Sequence, residues 1–163
     1  MSANSKSLNP SDTRLKSWIA PAILTLVLAA VAFIASPNAP LGTFWAPAPG
    51  IPQPSSAQLP LFILLNLAEA LTFGMGVSFL IFGYPLVRAI SPASVNLTRA
   101  THISIAWLLF NWWPHDSLHL HVGLELNGLL AIEYGFHVTL MLAGAIVAAF
   151  FLTILRQRAT VER

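Results

Sequence analysis

Side chains capable of acid–base or metal chemistry are concentrated in one stretch of the chain, from Asn111 to His137. This stretch holds four of the five histidines and three of the six acidic residues. They are His115, His119, His121, His137, Asp116, Glu125 and Glu133. The segments on either side are mostly apolar. Any chemistry that the protein performs is therefore expected to involve this stretch.

The spacing of His115 and His119 predicts a metal site. Residues at i and i+4 lie on one face of a helix, so both imidazoles can bind the same ion. We expect His137 to add a third nitrogen and Asp116 an oxygen, since carboxylates also commonly hold a ligating imidazole in orientation. This donor set suits zinc, copper(II) or iron without selecting among them.

A second interpretation of the histidines needs no metal. Trp112 and Trp113 precede them directly, and Trp and His are amphipathic side chains that favour the interface between lipid and water. The stretch would then be an interfacial turn that anchors the protein at the level of the headgroups. The sequence leaves this interpretation open beside the metal site.

Glu69 stands alone as an acidic residue within a long apolar run. An ionisable group at the centre of a bilayer costs about 2.5–3.5 kcal/mol on insertion scales, so such a group is a functional candidate. Counted along helices that rise about 1.5 Å per residue, Glu69 and His137 are both expected roughly 15 Å from the outer surface, with Glu133 one turn above His137. We therefore predict one outward-facing pocket in which Glu69 or Glu133 acts as the catalytic base. The alternative is a structural role for all three, as hydrogen-bonded groups that hold helices together.

The composition indicates an integral membrane protein. Of the 163 residues, 56% are hydrophobic and only 9% are charged, against roughly 25% charged residues in an ordinary soluble domain. The chain has no cysteine, which excludes disulfides and thiolate metal sites. Its net charge is +2, and its basic residues flank the apolar runs. Basic residues in such positions set the orientation of a membrane protein, so they do not indicate a surface that binds nucleic acid. The expected partners are the lipid bilayer and a second membrane protein or a second copy of the chain.

Four apolar runs predict an all-α membrane protein with four transmembrane helices in a bundle, since about 20 helical residues cross a bilayer. The predicted helices are about 17–36, 59–88, 99–114 and 124–156, with Pro114 ending the third. An outer proline-rich loop (37–58) and an outer histidine-rich loop (114–123) join them, and polar tails (1–16 and 159–163) flank them. All eight Lys and Arg residues fall on one side of this topology. The positive-inside rule therefore places both termini in the cytoplasm, at a bacterial inner membrane or plasma membrane.

Two details of this topology have alternatives. The first apolar run resembles the core of a cleaved signal peptide, but its length and the lack of a cleavage site before Pro37 favour a membrane anchor. The proline-rich loop is predicted to be an extended connector, because proline at that density blocks helix and sheet.

Two helix faces combine polar and small residues, which is typical of close helix packing in membranes. They are Glu69, Gly76 and Gly83 on the second helix, and Glu133, His137, Gly144 and Ala148 on the fourth. Both faces are expected to point into the bundle.

Several classes of function remain open on these observations. The first is a membrane metalloprotein acting on a lipid-soluble substrate as an oxidoreductase or hydrolase. The second is a proton- or cation-coupled transporter, or a subunit of one, that uses Glu69, Glu133 and His137. The third is an accessory subunit of a larger complex, and the fourth is a haem-binding cytochrome with His102 and His137 as axial ligands.

Overall fold

A computed structural model describes residues 10–37, 39–91 and 93–161. Most of the predicted 1–16 tail and the end of the predicted 159–163 tail lie outside these residues. The described part is helical and contains no strand. Its helices are α1 (Pro10–Ile34), α2 (Leu59–Phe82), α3 (Tyr84–Ile90), α4 (Val95–Phe110), α5 (Trp112–Val122), α6 (Leu126–Ile132) and α7 (Thr139–Val161). A 3₁₀ turn (Gly42–Trp45) lies between α1 and α2, and a π-helical turn (Glu133–Val138) joins α6 to α7.

Two helical segments are long and apolar enough to cross a membrane. They are Leu59–Phe82, which is α2, and Leu126–Thr160, which runs from α6 into α7. The apolar part of α1, Trp18–Ile34, is shorter, and α4 has 16 residues. At about 1.5 Å per residue, α4 is roughly 24 Å long.

The long helices pack in series: α1 against α2, α2 against α4, and α4 against α7. In a closed four-helix ring α7 would also pack against α1, and no comparable contact joins those two helices within the described residues. Helices α2 and α4 are therefore the centre of a row. This arrangement differs from the predicted bundle, because each contact joins only neighbours in the series.

Glycines allow α2 to approach both of its neighbours. A Cβ atom on Gly74 would lie 2.2 Å from the carbonyl oxygen of Thr25 in α1, and one on Gly76 would lie 2.5 Å from the backbone nitrogen of Phe110 in α4. Both distances are far inside van der Waals contact, so no side chain fits at either position. The predicted packing face of α2 thus includes a true crossing point at Gly76.

The buried face of α4 is polar. Thr98, Thr101, His102 and Ser104 are all buried, although they lie in a largely apolar chain. Thr98 and Thr101 donate hydrogen bonds to backbone carbonyls one turn earlier, at 3.0 and 2.8 Å. These bonds satisfy hydroxyls that would otherwise be costly to bury.

A helix replaces the histidine-rich loop predicted at 114–123. Asn111 ends α4 and also begins α5, since its carbonyl accepts from the backbone N–H of His115 at 3.0 Å. Pro114 lies in the first turn of α5, where amide groups have no helical partner and proline is tolerated. The predicted third helix therefore ends before Pro114, and the chain continues as a new helix, α5, with the proline in its first turn. Gly123, with a positive φ of 60°, ends α5.

The buried residues of α7 differ from those predicted. Ala143 and Phe150 are buried, whereas Ala148 is exposed and nothing lies within 4 Å of a Cβ placed on Gly144. The predicted face containing Gly144 and Ala148 is therefore not the face that packs. That prediction assumed one regular helix, whereas Glu133–Val138 is π-helical.

Replacing Gly76 with alanine is expected to destabilise the protein by about 1–3 kcal/mol, because the added methyl group overpacks the crossing of α2 and α4. Thermal unfolding of the detergent-purified protein measures the effect. The matched control is Gly144→Ala, a helical glycine with open space around it, which should leave stability unchanged or raise it by up to about 1 kcal/mol. Equal effects at the two positions would contradict the close approach at Gly76.

Candidate metal centre

Three imidazoles converge where α5 meets the π turn. The Nε2 atom of His115 lies 2.9 Å from Nε2 of His137 and 3.1 Å from Nε2 of His119. One ring nitrogen from each residue can be chosen so that all three lie within 4.8 Å of one another. Helix α5 supplies His115 and His119 one turn apart, as the i, i+4 spacing predicts. The π turn supplies His137.

A carboxylate contacts the opposite nitrogen in two of these rings. Asp116 Oδ1 lies 2.9 Å from Nδ1 of His115, and Glu133 Oε2 lies 2.6 Å from Nδ1 of His137. An ionised carboxylate only accepts hydrogen bonds, so each Nδ1 must carry the proton. A neutral ring protonated at Nδ1 has its lone pair on Nε2. Two lone pairs therefore face each other across 2.9 Å.

Facing lone pairs repel unless a cation stands between them or near them. Three nitrogens bound to one zinc ion at about 2.0–2.1 Å would be roughly 3.3 Å apart in tetrahedral geometry. The two measured separations from His115 are close to this value. The rings of His119 and His137 are only partly buried, so they can rotate to bring the third pair together. The three nitrogens thus fit a single transition-metal ion.

Burial differs between the three ligands. His115 is 7% exposed, and its ring packs against Trp112 and Phe136 at centroid distances of 6.2 and 5.3 Å. His115 lies outside the helices predicted to cross the membrane. Burial lowers its pKa below the ordinary value, and the neighbouring Asp116 carboxylate opposes this effect without cancelling it. The neutral imidazole, which is the form that binds metal, is favoured at neutral pH.

Glu69 lies near this centre but is not part of it. Glu69 on α2 and Asp116 on α5 line the same cavity. Among the described residues, a continuous series of side-chain contacts runs from Asp116 through His115 and His137 to Glu133.

The predicted site residues thus separate into two groups. His115, His119 and His137 present converging nitrogens, whereas Asp116 contacts the far side of the His115 ring and Glu133 the far side of the His137 ring. Glu69 lines the same cavity as Asp116. The sequence did not predict that these two residues would share a cavity, because this depends on how α2 and α5 are placed.

The other two histidines lie elsewhere. His102 is buried, with Nε2 at 2.9 Å from the backbone carbonyl of Phe79 and its ring against Tyr84. That contact occupies the Nε2 atom of His102, and His102 is not among the three histidines that converge. His121 is exposed, and its Nδ1 lies 3.1 Å from the carbonyl oxygen of Ala46.

The proline-rich loop is attached to α5. Besides the contact of His121 with Ala46, the backbone N–H of Ala48 donates to the carbonyl of Leu120 at 2.9 Å. The indole N–H of Trp113 donates to the hydroxyl of Ser36 at 2.9 Å, which joins α5 to the end of α1. The sequence predicted only a connector here, and these bonds make the loop a cover over one side of α5.

Comparison of the chain with protein-family models, with curated proteins and with solved structures finds no match.

In the metal-free protein, His115 is expected to stay neutral to a lower pH than free histidine, whose pKa is about 6.5. The imidazole ¹⁵N chemical shifts of protein labelled at histidine follow this titration. Asp116→Asn removes a carboxylate that favours the protonated ring, so it should move the His115 midpoint lower still. A midpoint at or above about 6.5 in the native chain, or an upward shift in the variant, would contradict the assigned environment.

Proposed function

We propose that this protein is an integral membrane metalloprotein that binds one transition-metal ion through His115, His119 and His137. The observation that carries the proposal is the arrangement of carboxylates and ring nitrogens at His115 and His137. A carboxylate oxygen lies at each Nδ1 atom, and the two Nε2 atoms lie 2.9 Å apart. Carboxylates placed in this way commonly hold metal-ligating histidines in orientation.

The exposed apolar surface supports a membrane location. Only 22% of the most apolar 18-residue window of α2, and 11% of that of α6–α7, is buried inside the protein. The core helix of a soluble protein would be mostly buried. Large side chains such as Leu26, Leu64 and Met141 are more than 60% exposed, which water would disfavour and lipid would accept. We propose that α1, α2, α4 and α6–α7 are the four spans, with both termini in the cytoplasm and α5 at the outer end.

Three histidines leave a position open on the ion. Structural zinc sites usually have four protein ligands, whereas catalytic sites have three and an exchangeable fourth position. A metal bound here would act as a Lewis acid or redox centre toward a group bound at that position. The donor set therefore favours a reactive site over a structural one, and zinc, copper and iron all remain compatible with it.

The acidic residues are proposed to have different roles. Asp116 and Glu133 orient His115 and His137 through their Nδ1 atoms. Glu69 is hydrogen-bonded to none of these imidazoles in the described part of the protein, so it is the better candidate for a base that exchanges a proton with a bound substrate.

Each of His115→Ala, His119→Ala and His137→Ala is expected to remove stoichiometric metal from the purified protein. Elemental analysis after dialysis against a weak chelator measures this. The matched control is His121→Ala, which removes a histidine of the same helix that lies outside the cluster and should leave metal content unchanged. Full metal retention in all three cluster variants would exclude the site.

Glu133→Gln and Asp116→Asn keep all three metal-binding nitrogens. They are expected to weaken metal binding by about 10–100-fold, because the rings lose the groups that fix their tautomer and orientation. Competition against a chromogenic chelator gives the affinity. Unchanged affinity in both variants would show that the carboxylates do not orient the ligands.

A proton path is the second candidate function. The contact series from Asp116 to Glu133 favours it, together with Glu69 in the cavity beside Asp116, because all of these side chains can accept or donate a proton. Glu69→Gln separates the two candidates. If the site is only a metal centre, the variant retains its metal, and proteoliposomes of native and variant protein show the same proton flux. If the site is a proton path, the native protein conducts protons and the variant does not.

A further inference from the structure

A cavity of about 770 Å³ lies beside the histidine cluster, between the proline-rich loop, α2 and α5. Small-molecule sites in proteins are commonly about 300–1,000 Å³. His119, one of the three proposed metal ligands, forms part of its wall, as do Asp116 and Glu69. The cavity therefore reaches the proposed metal centre at His119.

Most of the wall is apolar. It is formed by Phe33 from α1, by Leu59, Phe62 and Ile63 from the first turns of α2, and by several prolines of the loop. The polar side chains, apart from Gln53, come from the region where α2 meets α5; they are Asn66, Glu69, Asp116, Ser117 and His119. The cavity thus has a long apolar part and one polar end. This division matches a molecule with an apolar body and one polar head.

The side of the cavity formed by α2 is not sealed. Leu59, Phe62 and Ile63 remain 48–52% exposed, and they belong to a helix that is proposed to face lipid. A ligand that is dissolved in the bilayer can therefore enter between the loop and α2 without crossing water. The loop is fixed over α5 by the bonds of Ala46 and Ala48, so it acts as a roof.

The charges at the polar end favour an uncharged head. Among the described residues, neither Lys nor Arg lines the cavity, so a carboxylate or phosphate head would meet two carboxyl groups without a basic side chain. A divalent ion at the three histidines would repel an ammonium head placed at its open position. A hydroxyl group can donate to Glu69 or Asp116 and present its oxygen to the metal.

We propose that this cavity binds a neutral lipid alcohol, with its hydroxyl at Glu69 and Asp116 and its chain along Phe62 and Ile63. The proposal rests on the proposed function, because it places the hydroxyl at the open position of the metal. It defines the substrate class of that centre as apolar molecules with a hydroxyl head.

Photolabelling tests this assignment. A long-chain alcohol that carries a diazirine on its chain is incubated with the metal-loaded, full-length protein in nanodiscs, and the labelled peptides are mapped by mass spectrometry. Labels are expected on the first turns of α2 and on the loop around Ile51. Unlabelled alcohol should compete with the photoreactive alcohol and reduce the labelling. A fatty acid and an alkylamine of the same chain length should compete at least about threefold less well, because each is expected to lose about one good hydrogen bond at the polar end.

Two neighbouring substitutions form a matched pair. Ile63→Trp fills the cavity and should reduce labelling by about tenfold, while Leu64→Trp places the same side chain on the adjacent, 63% exposed position and should leave labelling unchanged. Metal content, measured on the same samples, reports that both variants are folded. Glu69→Gln is isosteric and should weaken competition by the alcohol about three- to tenfold with metal retained.

The outcomes separate this proposal from the metal proposal. The lipid-alcohol assignment is overturned if Ile63→Trp leaves the labelling unchanged. It is also overturned if a fatty acid or an alkylamine competes better than the alcohol. Neither result affects the metal proposal, which metal content tests separately. A protein without metal whose α2 peptides are still labelled in a cavity-dependent way supports the binding site and overturns the metal centre. A His137→Ala protein that has lost its metal but retains cavity labelling supports the cavity independently of the ion.

Discussion

Two hydrogen bonds between carboxylates and imidazoles determine what the centre of this protein can do. Without Asp116 and Glu133, either nitrogen of His115 and His137 can carry the proton, and the two rings can satisfy each other with one shared hydrogen bond. With the carboxylates in place, both Nδ1 atoms are donors and both Nε2 atoms are acceptors. A cation between the two rings would relieve the repulsion of their lone pairs, and His119 would provide a third ligand for it at 3.1 Å from His115. Asp116 also lines a cavity together with Glu69 of the neighbouring helix.

Two irregularities of the backbone bring these groups together. The break at Asn111, with Pro114 in the first turn of α5, separates the histidine helix from α4 and lets it lie against α2. The π turn at Glu133–Val138 contains both Glu133 and His137, which are in direct contact. Such turns often occur at functional sites, since they place side chains where a regular helix would not. The scaffold is regular where helices cross at Gly74 and Gly76, and irregular where the chemistry is proposed.

The two sides of the histidine cluster have different surroundings. On one side, aromatic rings of Trp112 and Phe136 bury His115 and favour its neutral form. On the other, the cavity under the proline-rich loop gives access to His119 and Asp116. A buried ligand holds a metal in place, while an accessible one lets a substrate approach. The separation of these sides by a single helix is consistent with a site that binds an ion firmly and still reacts with a lipid-soluble molecule.

The sequence by itself determined the helical class, the apolar character and the residues of the histidine cluster. Composition sets the first two, because a chain with so few charges and two long apolar helices has few other ways to bury or solvate its surface. The His115–His119 and Glu133–His137 spacings are local, so helix geometry alone predicted that each pair would meet. Contacts within one or two turns of a helix need no tertiary information.

Everything that depends on the relation between helices was decided by the tertiary structure. That His115 meets His137, that Asp116 contacts Nδ1 of His115 instead of joining the converging nitrogens, and that His102 bonds to Phe79 all follow from the position and rotation of separate helices. The helix predicted to end at Pro114 resumed as α5, and the packing face of α7 differs from the predicted one, because both depend on backbone geometry that hydrophobic periodicity does not encode. The proline-rich loop became the roof of a cavity through hydrogen bonds to α5 more than 70 residues away. The high proline content of the loop predicted that it would lack long helices and strands, but it did not predict which part of the protein the loop would contact.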